Sequence, residues 1–415
     1  MPHPWAKIVA VRILVLTNMF PPDAYGGYER WCQQVVGHWR RAGHQVLVLT
    51  SNVRLSGPDG SETPDAEVRR VLHLYWADHV ILRPPLWRRI RWERDNQRRL
   101  EEAVRNFRPQ VASAWAMGAM SLGLLTRLGD LGLPVVSVVC DEWPVYGPHV
   151  DAWSDLVERR TWLGRMLGMS TGLPSRLPDL DVLGPACFVS SAVRRAARER
   201  SPWTFPRSTV VPSGIDGGEF PLAPDAGRRP WVWRLLHVGR LDPRKGVHTV
   251  IEALAACPAE ATLQVLGTGD ERYLAELQAL SRRVGVADRV HFSACAPSEV
   301  AAQYAAADAL VFAPLWEEPF GLVPLEAMAC GTPVVASPTG GSAEFLVDGD
   351  NCVTFPSGDA AALADALRRL AGAPALRQAL VEGGVRTAAR YDAAKWADEL
   401  ERWHRDAAME PSATR

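Results

Sequence analysis

The densest group of reactive side chains is Trp316-Glu-Glu-Pro-Phe-Gly-Leu-Val-Pro-Leu-Glu326, which continues as Ala-Met-Ala-Cys-Gly-Thr-Pro-Val-Val-Ala336. The apolar run Ala309 to Phe312 ahead of it predicts a strand. After the Pro/Gly loop, a helix is predicted from near Val323, with Pro324 suited to its first turn. Unpaired N–H groups at such a start, reinforced by the helix dipole, favour an anion such as phosphate. Glu318 in the loop and Glu326 in the first turns of the helix are poor groups for gripping phosphate. They suit the hydroxyls of a sugar and a ribose, whose hydrogen bonds a carboxylate accepts. The alternative is that Glu326 merely complements the helix N-terminus while Glu318 is solvated.

A second group, His237-Val-Gly-Arg-Leu-Asp-Pro-Arg-Lys-Gly246, follows another predicted strand. Arg240 and Lys245 would emerge at its carboxyl end, ahead of a helix. Two cations there suit a diphosphate, because they can neutralise charge that grows on a leaving group. A lone R-x4-K would be a solvated turn; beside the Glu318/Glu326 segment it becomes part of a site.

The elements that must position these residues alternate strand and helix. Val11 to Thr17, a loop carrying Pro21, Pro22, Gly26 and Gly27, a helix from Tyr28 to Arg41, and a run from Gln45 to Thr50 predict a βαβ unit and a parallel sheet. Val135 to Val139 and Ala186 to Val189 are further strand candidates. A Pro- and Gly-rich break at 201–229 predicts a linker. Beyond it the pattern repeats: strands over Trp233 to Val238, Thr262 to Leu266, Arg289 to Phe292, Ala309 to Phe312 and Pro333 to Ala336, with a helix from Gly246 to Ala256. The fold class is therefore α/β, two Rossmann-like doubly wound parallel-sheet domains with the site expected in the cleft between them. The domains are placed at 1–205 on the acceptor side and 206–385 on the donor side. A helical tail over 386–415, amphipathic from Tyr391 to His404, is expected to return to the first domain. Its last residues, Glu410 to Arg415, are assigned no structure.

Bulk properties exclude several classes. The 415 residues suit two domains, and 47% hydrophobic with 22% charged residues is ordinary for a globular protein. A net charge of -1 gives no global field for nucleic acid. Seven cysteines, none in a C-x-x-C pair, argue against a zinc site and fit a reducing compartment. The first apolar run is interrupted by Arg12, and the longest, Val111 to Thr126, is too short to span a bilayer. A cytoplasmic location is expected. Arg83 to Arg108, arginine-rich with Trp87 and Trp92, is either a solvated helix face or a peripheral membrane contact. The 16 tryptophans, among them Trp115, Trp143, Trp153 and Trp162, could line an acceptor pocket or fill a core.

The two charged segments together resemble the retaining glycosyltransferases of family 4, which have the GT-B fold. That family shows V-G-R-L-x-x-x-K-G, here Val238 to Gly246, and an E-x7-E segment, here Glu318 to Glu326. Val210-Val-Pro-Ser-Gly-Ile-Asp216 is similar to its V-V-P-N-G-I-D, with Ser213 in place of Asn, and the Gly26-Gly27 loop to its N-terminal glycine loop. The resemblance implies sugar transfer from a nucleoside-diphosphate sugar to a glycan, lipid or natural-product hydroxyl, with retention. It assigns Arg240 and Lys245 to the donor diphosphate, Glu326 to the ribose and Glu318 to the donor sugar. Backbone N–H groups of Phe320, Gly321, Leu322 and Val323 would meet sugar and phosphate, and Gly26 and Gly27 would close over the phosphates. No D-x-D metal motif is evident in a suitable loop, so no cofactor is expected beyond the nucleotide sugar as co-substrate.

One departure stands out. Where the family commonly has His-Asp after a strand, this chain has Cys140-Asp141. Asp141 is a catalytic candidate. In the family that histidine often contacts the 6-position of the donor hexose. Its absence implies a donor without an ordinary 6-hydroxyl, such as a deoxysugar, another residue that supplies the contact, or a tolerated change. Among rivals, Gly267-Thr-Gly269 hints at a nucleotide-dependent oxidoreductase, but the third glycine of that fingerprint is Arg272. A GT-B epimerase or phosphorylase and a non-catalytic nucleotide-sugar-binding module complete the alternatives.

Overall fold

The computed structural model describes residues 10–24, 26–55, 65–77, 80–159 and 161–410. The expectation for residues 411–415 therefore lies outside the described residues. The chain divides into two compact units, Met1–Val211 with Ala397–Arg415, and Pro212–Trp396.

The first unit is built on a seven-stranded sheet. In spatial order its strands are Val68–Leu72, Gln45–Ser51, Arg12–Thr17, Val111–Ala114, Val135–Val139, Ala186–Phe188 and Ser208–Val210. Every pairing is parallel, with Leu14 opposite Leu47 on one side and Ala112 on the other. Strands covered on both faces need unbroken apolar runs, and Ile13 to Leu16 are fully buried. The long apolar stretch from Val111 divides into a strand, a buried loop and the helix Gly123–Asp130. Val68–Leu72 escapes a sequence reading because Arg69 and Arg70 sit inside it. Three of the tryptophans singled out, Trp115, Trp143 and Trp153, are core, whereas Trp162 is exposed.

The expected linker is shorter than its composition suggests. Residues 208–210 still pair with the first sheet, and the unit boundary falls between Val211 and Pro212. The last helix, Ala393–Met409, packs into the first unit from Ala397 onward. There Trp39 Nε1 donates to the Ala397 carbonyl at 3.1 Å, and the His404 ring lies 4.6 Å from that of Trp39.

The second unit has a six-stranded parallel sheet. Its order is Val290–Ser293, Thr262–Leu266, Arg234–Val238, Ala309–Phe312, Val334–Ala336 and Val353–Thr354. Its core packs Val247, Val250 and Ile251 of the helix Val247–Ala255 against Leu263, Val265 and Val311. Sequence order reverses direction between Arg234–Val238 and Ala309–Phe312, which are neighbours with Leu235 opposite Ala309. That is the topological switch point, where doubly wound sheets bind ligands. The two charged segments are the loops that leave these two strands.

All seven cysteines are free, and six of them are buried. Among the described residues no helix is long and apolar enough to cross a membrane.

Candidate functional site

In the second unit, backbone contacts lace the two loops together before their side chains meet. Gly246 ends the single 3-10 turn Pro243–Lys245 at φ +69°. A Cβ there would collide with the Ala313 carbonyl oxygen, so the close approach requires glycine. Leu315 N–H donates to the Arg244 carbonyl at 2.8 Å. From the other side Gly341 N–H donates to the Glu318 carbonyl at 2.7 Å. Gly340, at φ +52°, likewise has no space for a Cβ against the Glu318 backbone.

The side chains then converge. Lys245 Nζ donates to Glu318 Oε2 at 2.7 Å, and Trp316 Nε1 donates to the same oxygen at 2.9 Å. The Trp316 ring carries the Arg244 guanidinium at 4.6 Å and the Lys245 ammonium at 5.5 Å, both cation–π contacts. Glu318 is buried, and a buried carboxylate needs such partners. Lys245 and Glu318, given separate ligand groups by their resemblance, are thus engaged with each other. Asp242 is drawn down to about 2, chiefly by hydrogen bonds from the Arg244 side chain, against a desolvation that would raise it. Arg240 reaches Asp242 only at 3.4 Å and keeps 40% of its side chain exposed, so it can turn to an anion.

The helix Leu322–Ala329 starts from Gly321 at φ +91° with no side-chain cap. Its first N–H groups are left for water or a ligand. Phe320 contributes backbone alone, since its ring is buried against Phe345 and Tyr391 at 5.5 Å each. Glu326 Oε2 accepts from the buried Tyr304 hydroxyl at 2.7 Å, which fixes the carboxylate. Ser213 Oγ, Ser337 Oγ and Thr339 Oγ1 are buried without a hydrogen-bond partner among the described residues. Unsatisfied polar atoms of this kind call for water or a ligand.

The first unit holds the other candidates. Gly26 caps the helix Gly27–Arg41, its N–H donating to Glu29 Oε2 at 3.0 Å. A Cβ at Gly27 would meet nothing within 4 Å, and one at Gly26 would meet only Glu29 Oε2 at 3.9 Å. Packing does not demand either glycine. Tyr28 ties this helix to the end of Val135–Val139: its hydroxyl donates to the Val138 carbonyl at 2.6 Å and accepts from Cys140 N–H at 3.2 Å. Asp141 accepts from Tyr146 Oη at 2.6 Å and Trp143 N–H at 3.0 Å. Desolvation outweighs these bonds and pushes its carboxyl up to about 6. Burial, then the Asp141 carboxylate, push the Cys140 thiol well above its usual range, so it stays protonated.

The Gly267-Thr-Gly269 turn has a structural reason. Cβ atoms at Gly267 and Gly269 would strike the Gly239 and Leu241 carbonyls, and Leu241 N–H donates to the Thr268 carbonyl at 2.8 Å. These glycines brace the loop that carries Arg240.

Comparison with known proteins agrees with this architecture. Residues 25–217 match the model for Glycosyltransferase Family 4, and residues 229–386 match that for Glycosyl transferases group 1. The glycogen synthase of Mycobacterium tuberculosis strain H37Rv is 39% identical over 89% of this chain and 88% of its own length. The chain belongs to this glycosyltransferase family. A GDP-mannose-dependent alpha-(1-6)-phosphatidylinositol monomannoside mannosyltransferase of Mycolicibacterium smegmatis is 29% identical over 87% of this glycosyltransferase and 90% of its own length. Two solved structures show the shared GT-B fold. Sucrose-phosphate synthase from Thermosynechococcus elongatus has a TM-score of 0.71 at 21% identity, covering 95% of this chain and 98% of its own. HepE of Anabaena, solved with UDP and glucose, has a TM-score of 0.69 at 20% identity, covering 94% and 98%.

Several residues of the glycosyltransferase's site have no local signal in its sequence. Tyr304 lies 22 positions before Glu326, and Tyr28 lies 112 before Cys140. The Gly340-Gly341 pair adjoins the recognised segment, and Trp316 opens it without a role that its sequence position announces.

Proposed function

We propose that this glycosyltransferase moves a sugar from a nucleoside-diphosphate sugar to an acceptor hydroxyl, with retention and without a metal. The observation that carries the reading is the cluster Lys245–Glu318–Trp316 between two switch-point loops, with Arg240 exposed beside it. Arg240 and Lys245 take the diphosphate, Lys245 exchanging part of its contact with Glu318 for phosphate. The uncapped helix start at Leu322 adds its N–H groups, Glu326 takes the ribose and Glu318 the sugar. The first unit is the acceptor side. The open space above Gly26 and Gly27 supports their approach to the donor phosphates. Asp141 is the candidate for steadying the reacting sugar. Departure is by front-face displacement, the leaving diphosphate helping to take the acceptor's proton while the two cations offset its charge. The names of the relatives support a hexose donor, and the free thiols a cytoplasmic setting.

Mass spectrometry against a panel of UDP-, GDP- and dTDP-sugars with glycan and lipid acceptors tests this. One donor should release its nucleoside diphosphate only when acceptor is present, and NMR should find the donor's anomeric configuration in the product. An inverted product would overturn retention, and loss of turnover in EDTA would overturn metal independence. The buried Cys140 in place of the family's histidine supports a donor lacking an ordinary 6-hydroxyl. Preference for a 6-hydroxylated hexose would remove that part.

A further inference from the structure

The helix Leu86–Phe107 of the first unit presents a face that the chemistry above does not use. Parallel pairing puts His73, which follows Leu72, at the carboxyl edge of the seven-stranded sheet. The helix must run back against the strands for Val111–Ala114 to pair in parallel, so its first turns lie at that same edge. Ligands of doubly wound sheets bind beyond the carboxyl ends of the strands, and this is that side of the sheet.

A cavity of about 730 Å³ opens at this place, between His73 and the helix. The Trp92 ring stacks on His73 at 5.1 Å and 3°, and His73 Nε2 is held by Asp95 at 3.0 Å, which makes a fixed floor. Trp87 stands 59% exposed at one end, with the Arg88 guanidinium 5.3 Å over its ring. Arg88, Arg91, Arg94 and Arg98 follow at steps of three and four residues, so they share one face, and all four are exposed. Arg98 pairs with Asp95, as does Arg99. Asp95 is the one carboxylate in a lining that holds five arginines. Like charges at these spacings repel and weaken a helix by themselves. A chain whose net charge is -1 has concentrated cations here, and an anionic occupant would relieve the repulsion.

We propose that this groove holds the phosphate groups of a phosphorylated glycan acceptor, a proposal that rests on the glycosyl-transfer reading of the first unit. Arginine forks bind phosphate in bidentate fashion, and the Trp87 and Trp92 faces offer apolar platforms to the sugar rings that carry it. The concavity favours a discrete molecule over the plane of an anionic bilayer. This site is separate in sequence and in fold from the diphosphate cluster at Lys245.

Titration of the full chain with sodium tripolyphosphate, followed by tryptophan fluorescence, tests the groove directly. Binding should weaken as salt is raised, and the double variant Arg91→Ala/Arg94→Ala should weaken it at least about tenfold. Arg105→Ala removes one charge from the same helix outside the groove and should leave tripolyphosphate binding as it was. UDP affinity, measured in parallel by calorimetry, reports the donor cluster. Absent UDP binding in the parent protein would count against the donor reading, whereas the groove is judged by the tripolyphosphate binding that persists when saturating UDP occupies the donor cluster. Absence of tripolyphosphate binding, or binding unchanged in the double variant, would overturn the proposal. So would binding to phosphatidylglycerol vesicles that tripolyphosphate does not displace, which would make the face a membrane contact.

Discussion

The two units carry their candidate residues in opposite ways. In the second, backbone decides: Gly246 against Ala313 and Gly340 against Glu318 leave the loops one mutual arrangement. Lys245, Trp316 and Glu318 then meet as a consequence. In the first unit, side chains from distant positions decide. Tyr28 reaches the Cys140 backbone, at the end of a strand, from 112 positions away, while Gly27 stands in open space. A site fixed by its own backbone travels with its motif. One fixed by remote side chains can be retuned residue by residue, which suits the half of an enzyme that must adapt to its acceptor.

The sharpest way to break this contrast is Lys245→Ala. Removing the cation should lower turnover about 10²–10³-fold, mainly in kcat, as steady-state kinetics would show. Near-normal turnover would mean that the backbone lacing serves stability alone.

A glycine pair comes next. Gly246→Ala should destabilise the second unit by roughly 2–4 kcal/mol in urea unfolding, from steric conflict and a positive φ. Gly27→Ala should change stability by less than about 0.5 kcal/mol, since its Cβ meets open space, yet slow turnover about tenfold. Equal effects of the two on stability would erase the distinction between the units.

Asp141 sharpens it through pH. Its folded carboxyl, near 6, holds a proton more tightly than the ordinary 3.8, so the folded state binds more protons between these values. Stability should therefore fall as pH rises from about 4 to about 6, by no more than about 3 kcal/mol. Asp141→Asn should flatten that slope, and turnover that needs the ionised carboxylate should fall below about pH 6. The smallest effect concerns thiols. Iodoacetamide should label the partly exposed Cys295 at least about tenfold faster than the buried, protonated Cys140, as peptide mass mapping would show.

Much of the second unit was legible because its chemistry follows short-range rules. Strand, glycine turn and helix start are local, so Val238 to Gly246 and Glu318 to Ala336 announced their elements. Even there the expected division of labour missed the Lys245–Glu318 ion pair, since two loops 73 residues apart meet only when their strands pair. In the first unit, Val68–Leu72 hid behind its arginines, and the linker's Pro and Gly concealed the edge strand Ser208–Val210. The register that makes each of them a strand is supplied by the neighbouring strand.

By itself the sequence determined the alternation of strand and helix, two parallel sheets, and the charged segments at the ends of particular strands. These follow from apolar periodicity and from glycine and proline, whose preferences act within a few residues. The tertiary structure alone decided which glycines are sterically required, that Tyr304 holds Glu326, that Asp141 keeps its proton to about pH 6, and that arginines 88 to 98 line a groove. Each depends on distance and desolvation in the folded chain, and no local preference encodes these.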